Sequence, residues 1–260
     1  MPDHSMNRLN TLLLRNSVDF DLFTNSILLG YIGSISHGTY KPNSIDDKDL
    51  MGVIILPDSY YYGNNKFGSR NTLVIQEHEW DLVFYDLRKF IRLLTKANPN
   101  VLSLLWIPDN LYLHKTNIGQ ELINNRDLFS SQLAYYSFCG YAHSQLNRLE
   151  KGVCKGYMGE KRKLLLKQYG FDLKNASHLI RLLRMGTEFL ETGVINVNRK
   201  DANIFLDIKN GKWSLEKVKA EASKWTSRIE YAYKHTILPE QPDYNKINEL
   251  CVSLIKTYNI

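Results

Sequence analysis

Two aspartates, Asp47 and Asp49, open the apolar stretch Leu50-Met51-Gly52-Val53-Ile54-Ile55-Leu56, which reads as a strand. Side chains alternate along a strand, so these carboxylates project from one face, about 6–7 Å apart. Such a pair can hold one or two hard divalent cations, and magnesium favours a few carboxylates completed by substrate phosphates. A third carboxylate, Asp81, interrupts the run Trp80-Asp81-Leu82-Val83-Phe84-Tyr85. An ionised carboxylate in a buried strand is costly unless it is paired or bound to metal. That weights Asp81 over Glu77 and Glu79, which are not embedded among apolar residues; an exposed strand end, with Asp81 merely solvated, is the rival reading. Upstream, Gly33-Ser34 breaks a short apolar strand at residues 27–32. Its backbone N–H groups and hydroxyl, free of bulky side chains, can cradle phosphate oxygens. Each piece alone is common in surface loops. The combination suits nucleotidyl transfer, in which positioning and charge neutralisation carry the rate.

The order strand, Gly33-Ser34, about a dozen residues, then Asp47-x-Asp49 heading a strand resembles the signature of nucleotidyltransferases of the DNA polymerase β superfamily. Ser36-His37-Gly38-Thr39, the trailing Gly52-Val53, Tyr85-Asp86-Leu87-Arg88-Lys89-Phe90 and Asn98-Pro99-Asn100-Val101-Leu102 are similar to one branch of it. That branch comprises predicted nucleotidyltransferases of phages and of bacterial RNA-repair gene neighbourhoods. The resemblance implies that Asp47, Asp49 and Asp81 bind metal, two ions of magnesium or manganese. It implies that Gly33, Ser34 and His37 bind the nucleotide. It also implies an α/β (α+β) fold: a small mixed nucleotidyltransferase-like sheet with flanking helices, followed by a mainly helical domain. The chain departs from the branch at Ser44-Ile45-Asp46-Asp47-Lys48-Asp49, where the branch has Ser-Asp-x-Asp. Three aspartates therefore compete for two metal positions. Gly52-Val53 follows Asp47/Asp49 at the branch's distance, which favours that pair over one containing Asp46.

The elements that must position these groups are legible in outline. Residues 7–23 read as a first helix, and 72–76 and 80–85 as further strands. Gly38 and Pro42 keep the connection after Gly33-Ser34 irregular. The loop at 57–70 carries Tyr60-Tyr61-Tyr62, which either stacks on a base or, more commonly, packs the loop down. Asp86 is a natural N-cap for a helix over 87–96, and Asn98-Pro99 starts the next. Beyond Asn117 strand signals cease. Helical patterns cover 118–124, 132–149, 160–168, 175–191, 201–208, 215–234 and 244–257, with Ser214 and Asp243 as caps. The expected division is a catalytic domain at 1–128 and a helical, basic domain at 129–260. Residues 1–128 carry 12 Lys/Arg against 14 Asp/Glu, and the remainder 21 against 13. This polarity suits an anionic substrate, although a lysine-rich helical region is also simply soluble.

In the helical half, Lys174, His178 and Arg181 share one helix face, with Leu179, Leu182, Leu183 and Phe189 on the packed side. Cationic donors so placed can clamp a triphosphate, and the branch has a similar His-Leu-x-Arg helix after its catalytic half. The rival is a solvated basic face with His178 as a packing residue. Lys161, Arg162, Lys163 and Lys167 read as solvent-facing.

Of 260 residues, 43% are hydrophobic and 23% charged, as in ordinary globular proteins. No apolar run approaches the roughly 20 residues of a membrane span, so no membrane is expected. Cys139, Cys154 and Cys251 form neither a metal motif nor a disulfide framework, which points to a reducing cytoplasm. The expected function is metal-dependent transfer of a nucleoside monophosphate from an NTP, ATP among them, to a hydroxyl, with release of pyrophosphate. The acceptor would be an RNA end, a small molecule or a protein. The alternative is a non-catalytic nucleotide- or RNA-binding module on the same fold, whose mark would be a lost carboxylate or a lost Gly-Ser; all are present.

Overall fold

The computed structural model describes residues 4–17, 19–40, 48–151 and 160–258. These form two compact units. One gathers Met1–Thr95, Asn100–Phe129 and Asp243–Ile260; the other is Lys96–Pro99 with Ser130–Pro242.

The first unit is a five-stranded mixed sheet in the order β3-β4-β2-β1-β5. Its strands are β1 (Ser26–Tyr31), β2 (Lys48–Ile54), β3 (Thr72–Glu77), β4 (Trp80–Asp86) and β5 (Tyr112–Lys115). β2 and β4 run parallel; the other pairs are antiparallel. The sequence does not announce β5, because its four residues are all half-buried and show no alternation. One sheet face packs on α1 (His4–Asn16) through Leu9, Leu12, Leu13, Leu50, Leu82 and Phe84. Burying each such side chain contributes about 1.5–3 kcal/mol. Gly52 makes this packing possible: it stands in register with Phe84, and a Cβ there would lie 2.3 Å from the ring.

α1 ends at Asn16, short of the expected residue 23. Ser17 and Asp21 offer the backbone a local alternative to helix. The Ser17 hydroxyl donates to Leu13 O and accepts from Leu22 N, and Asp21 accepts from Thr24 N. The turn after β1 is also more regular than expected: α2 (Gly33–Ser36) forms one helical turn. Of the tyrosine triple, Tyr60 in α3 (Asp58–Tyr61) meets Phe20 edge-on, and the Tyr61 hydroxyl donates to Asp86 and accepts from Leu56 N. Those two pack the loop down, and Tyr62 is exposed. Asp86 sits at the N-cap position of α4 (Leu87–Leu94), but its side chain makes no capping bond. Its carboxylate is fully buried and committed to Tyr61 and Arg88. α5 (Pro99–Leu104) and α6 (Asn117–Asn124) follow, and α12 (Tyr244–Tyr258) returns to this unit, where Asn25 donates to the Tyr258 hydroxyl.

The second unit is helical: α7 (Leu133–Lys151), α8 (Glu160–Tyr169), α9 (Leu173–Thr192), α10 (Ala202–Lys209) and α11 (Leu215–His235). α9 is its axis. It packs against α7, α10 and α11 and is buried nearly all round, as a central rather than an amphipathic surface helix must be. Asp172 caps it by accepting from the backbone of Lys174 and Asn175.

An ion network ties α9 to its neighbours. Arg199, 7% exposed, bonds both Glu188 and Asp201, and Arg184 bonds Asp201 and Glu221. Burial alone would raise the Asp201 carboxyl, but hydrogen bonds and charges from Arg199 and Arg184 outweigh it and hold the group below its ordinary 3.8. A depressed carboxylate contributes stability that is complete above its unfolded value and lost as pH falls through the folded one. Arg199→Met should therefore cost about 1–3 kcal/mol at neutral pH, since it removes the buried guanidinium that both half-buried carboxylates bond, while Arg184 still holds Asp201. Urea denaturation should show the deficit shrinking on acidification below about pH 4; a deficit independent of pH would contradict the ionic account.

Candidate active site

Asp49 and Asp81 meet across the parallel β2–β4 pair. Their Cα atoms are register partners, as are Lys48 and Trp80 before them and Leu50 and Leu82 after. Neighbouring strands lie about 4.8 Å apart and paired residues point the same way, so the two carboxylates share a face. Leu50 and Leu82 point to the α1 core, so the aspartates occupy the opposite side. Lys48 places its ammonium over the Trp80 ring at 4.7 Å, away from the aspartates. Gln76, the cross-strand partner of Asp81 in the β3–β4 hairpin, donates from Nε2 to Asp81 Oδ2 at 3.2 Å. Gln76 escapes a reading of motifs, although hairpin register alone points to it. His78 takes a left-handed conformation (φ 53°) in the tight turn, and pairing Glu77 with Trp80 sets Gln76 opposite Asp81. Glu77 and Glu79 are engaged elsewhere, by Arg15 and Arg8 of α1.

The Gly33-Ser34 turn lies directly against Asp49. Ile32 N donates to Asp49 O at 3.0 Å, carrying the β1–β2 ladder to the turn. Gly33 then adopts φ +65°, and a Cβ there would fall 2.0 Å from Asp49 Oδ2. Only a residue without a side chain lets backbone and carboxylate approach so closely. Within α2, His37 N donates to Gly33 O, Ser36 Oγ donates to Gly33 O, and Thr39 N closes the loop onto Ser34 O. His37 is 5% exposed, held inside the turn. Thus Gly33, Ser34, His37, Asp49 and Asp81 all belong to one unit, on neighbouring strands and the turn between them.

Asp47, with Asp46, lies outside the described residues. Among the described residues no three His, Cys, Asp or Glu side chains converge on a single point. Asp49 and Asp81 are a pair of hard oxygen donors. Lys174, His178 and Arg181 belong to the helical unit. Lys174 is exposed, while His178 and Arg181 are half-buried: the His178 Nε2 atom is shielded from solvent, and Arg181 donates to Met185 Sδ at 3.4 Å. Lys163 and Lys167 on α8 are exposed.

The fold is mixed α+β with a small sheet, and paired carboxylates face one side of it beside a Gly-Ser turn. The chain matches the RNA repair pathway DNA polymerase beta family (RlaP) over residues 1–253, and it belongs to that family. It is a polymerase β-type nucleotidyltransferase family member by that match. Among solved structures it is similar to a nucleotidyltransferase-like protein from Exiguobacterium sibiricum, at 13% identity and a TM-score of 0.30, over 87% of this chain and 74% of that one. No curated protein matches it. No helix among the described residues is long and apolar enough to cross a membrane.

Proposed function

We propose that the chain moves a nucleoside monophosphate from an NTP to a hydroxyl acceptor and releases pyrophosphate in a metal-dependent reaction. One observation carries this reading: Asp49 and Asp81 stand in register on one face, with the Gly33 backbone against the Asp49 carboxylate. The donor set, two carboxylates in register on one face, fits magnesium or manganese. Asp49 and Asp81, joined by Asp47, would hold the ions. Bound there, the ions would neutralise the triphosphate and lower the pKa of the attacking hydroxyl.

The chain's own residues bind and orient. Backbone N–H groups of Gly33 and Ser34, with the Ser34 hydroxyl, take phosphate oxygens, and His37 supports the turn and the nucleotide. Asp81, steadied through Oδ2 by Gln76, keeps its other oxygen for an ion or for the proton of the acceptor hydroxyl. The acceptor oxygen bonds the α-phosphorus, the bond from that phosphorus to the bridging oxygen breaks, and pyrophosphate leaves with the electron pair.

The family's place in RNA repair makes an RNA end the first acceptor to try, before small-molecule or protein hydroxyls. Incubation with α-labelled NTPs, magnesium or manganese, and RNA bearing a free hydroxyl end should transfer label and release pyrophosphate. Asp81→Asn should slow this by about 10²-fold, the scale of one lost transition-state contact. Tight NTP binding with no pyrophosphate from any acceptor would replace this reading with a non-catalytic nucleotide-binding module.

A further inference from the structure

The outer side of α11 carries cations and aromatic rings in one row. Lys217, Lys224, Arg228, Tyr231 and His235 follow at spacings of seven, four, three and four residues, so all five lie on one helix face. Each is exposed, Tyr231 to 63%. Val218, Ala222, Ile229 and Ala232 mark a separate, buried face that packs the helix down. At a rise of about 1.5 Å per residue the row is about 27 Å long.

The acids of α11 stand off this row. Glu221 accepts from Arg184 and from Trp225 Nε1, the charge of Glu230 acts on Tyr135 and Cys139 of α7, and Glu216 sits in the first turn. Among the described residues the ion pairs of α11 are made by Lys219, Glu221 and Arg228, which leaves Lys217 and Lys224 outside any pair. Lys217 holds its ammonium over the Trp213 ring at 4.2 Å, and Arg228 lies over the Trp225 ring at 4.9 Å. The Arg228–Glu191 pair is exposed, so a phosphate displaces it at little cost. The aromatic end of the row is fixed in place. Tyr231 and His235 stack with centroids 4.0 Å apart and planes within 24°, and His235 Nδ1 bonds Tyr231 O at 2.8 Å. The imidazole covers one face of the tyrosine ring; the exposed remainder is a flat apolar surface on which a base can stack.

We infer that this face of α11 binds a single-stranded stretch of RNA, with phosphates on Lys217, Lys224 and Arg228 and an unpaired base on the Tyr231–His235 pair. Cations strung along a helix match a backbone of phosphates, and stacking on a ring accepts any base. Duplex RNA keeps its base faces stacked inside the helix and has none to offer the tyrosine. The choice of RNA rests on the acceptor proposed above. Binding itself needs neither NTP nor metal, and α11 belongs to the helical unit, not to the unit of Asp49 and Asp81. Loss of binding and loss of transfer are therefore separate results.

The test is a fluorescence-anisotropy titration of the full chain, without NTP or metal, against a labelled single-stranded oligoribonucleotide, the matching RNA duplex and a polyglutamate peptide. The single strand should bind most tightly. Its affinity should fall with salt at a log–log slope of about −0.7 for each phosphate held, so about −2 for three cations. Tyr231→Ala should weaken binding about tenfold, the scale of one lost base stack. Lys224→Ala should reduce the salt slope by about 0.7. Both side chains are exposed, so both variants should melt as wild type does. Lys256→Ala on α12 removes the same charge from another helix and should bind RNA as wild type does. Duplex or polyglutamate bound as tightly as the single strand would make the row a general polyanion surface or a dock for an acidic protein, and overturns the inference. Full affinity in both Tyr231→Ala and Lys224→Ala overturns it as well.

Discussion

Asp49→Asn should reduce nucleotidyl transfer by about 10²–10³-fold while the protein melts at the same temperature or slightly higher. The loss follows from position. Asp49 is in register with Asp81 and is the carboxylate against which the Gly33 turn is built, and groups that stabilise charge in a transition state are each worth about that much. The stability gain follows from the same register: two like charges directly opposite on adjacent strands repel. Steady-state pyrophosphate release and a thermal melt on the same preparation check both halves. Wild-type turnover in Asp49→Asn would remove Asp49 from the site and hand its role to the aspartates before β2. A large drop in melting temperature would mark the residue as structural instead.

Gly33→Ala should impair both stability and activity, for two separable reasons. The left-handed φ of +65° costs an L-residue about 1–2 kcal/mol. The new methyl group would also fall 2.0 Å from Asp49 Oδ2, so the carboxylate must turn away. A displacement of order 1 Å in a positioning group costs about 10²-fold in rate. Ser34→Ala is the control: it removes only a hydroxyl and should be the milder change. Equilibrium denaturation and kcat, measured for both variants, separate the terms. A destabilised Gly33→Ala with wild-type kcat would mean that the glycine serves the turn and not the carboxylate.

Much of this site was legible in the sequence because its parts are local. Strand alternation set Asp49 apart from Leu50, and an aspartate amid Trp80, Leu82 and Phe84 was conspicuous. What the sequence could not show was the pairing. That Asp49 faces Asp81 depends on β2 and β4 being parallel neighbours more than thirty residues apart. The approach of Gly33 to the carboxylate and the support from Gln76 depend on the same register. The helical half illustrates a different limit. Lys174, His178 and Arg181 share a helix face, as spacing requires, but spacing cannot say whether that face meets water. α9 packs against α7, α10 and α11, and on that face Lys174 is exposed while His178 and Arg181 are half-buried. Asp86 likewise has the residue type and position of a cap, and a buried tyrosine hydroxyl claims it.

The central claim, that the Gly33 turn and the Asp49–Asp81 pair together hold a metal-bound triphosphate, is tested most directly by calorimetric titration of a non-hydrolysable NTP analogue. It should be run with and without magnesium or manganese, on wild type, Asp49→Asn and Asp81→Asn. Binding should require the ion in wild type and should weaken at least about tenfold in each variant, the scale of a lost charged contact. Binding that is equally tight without metal, and unchanged in both variants, would contradict the account.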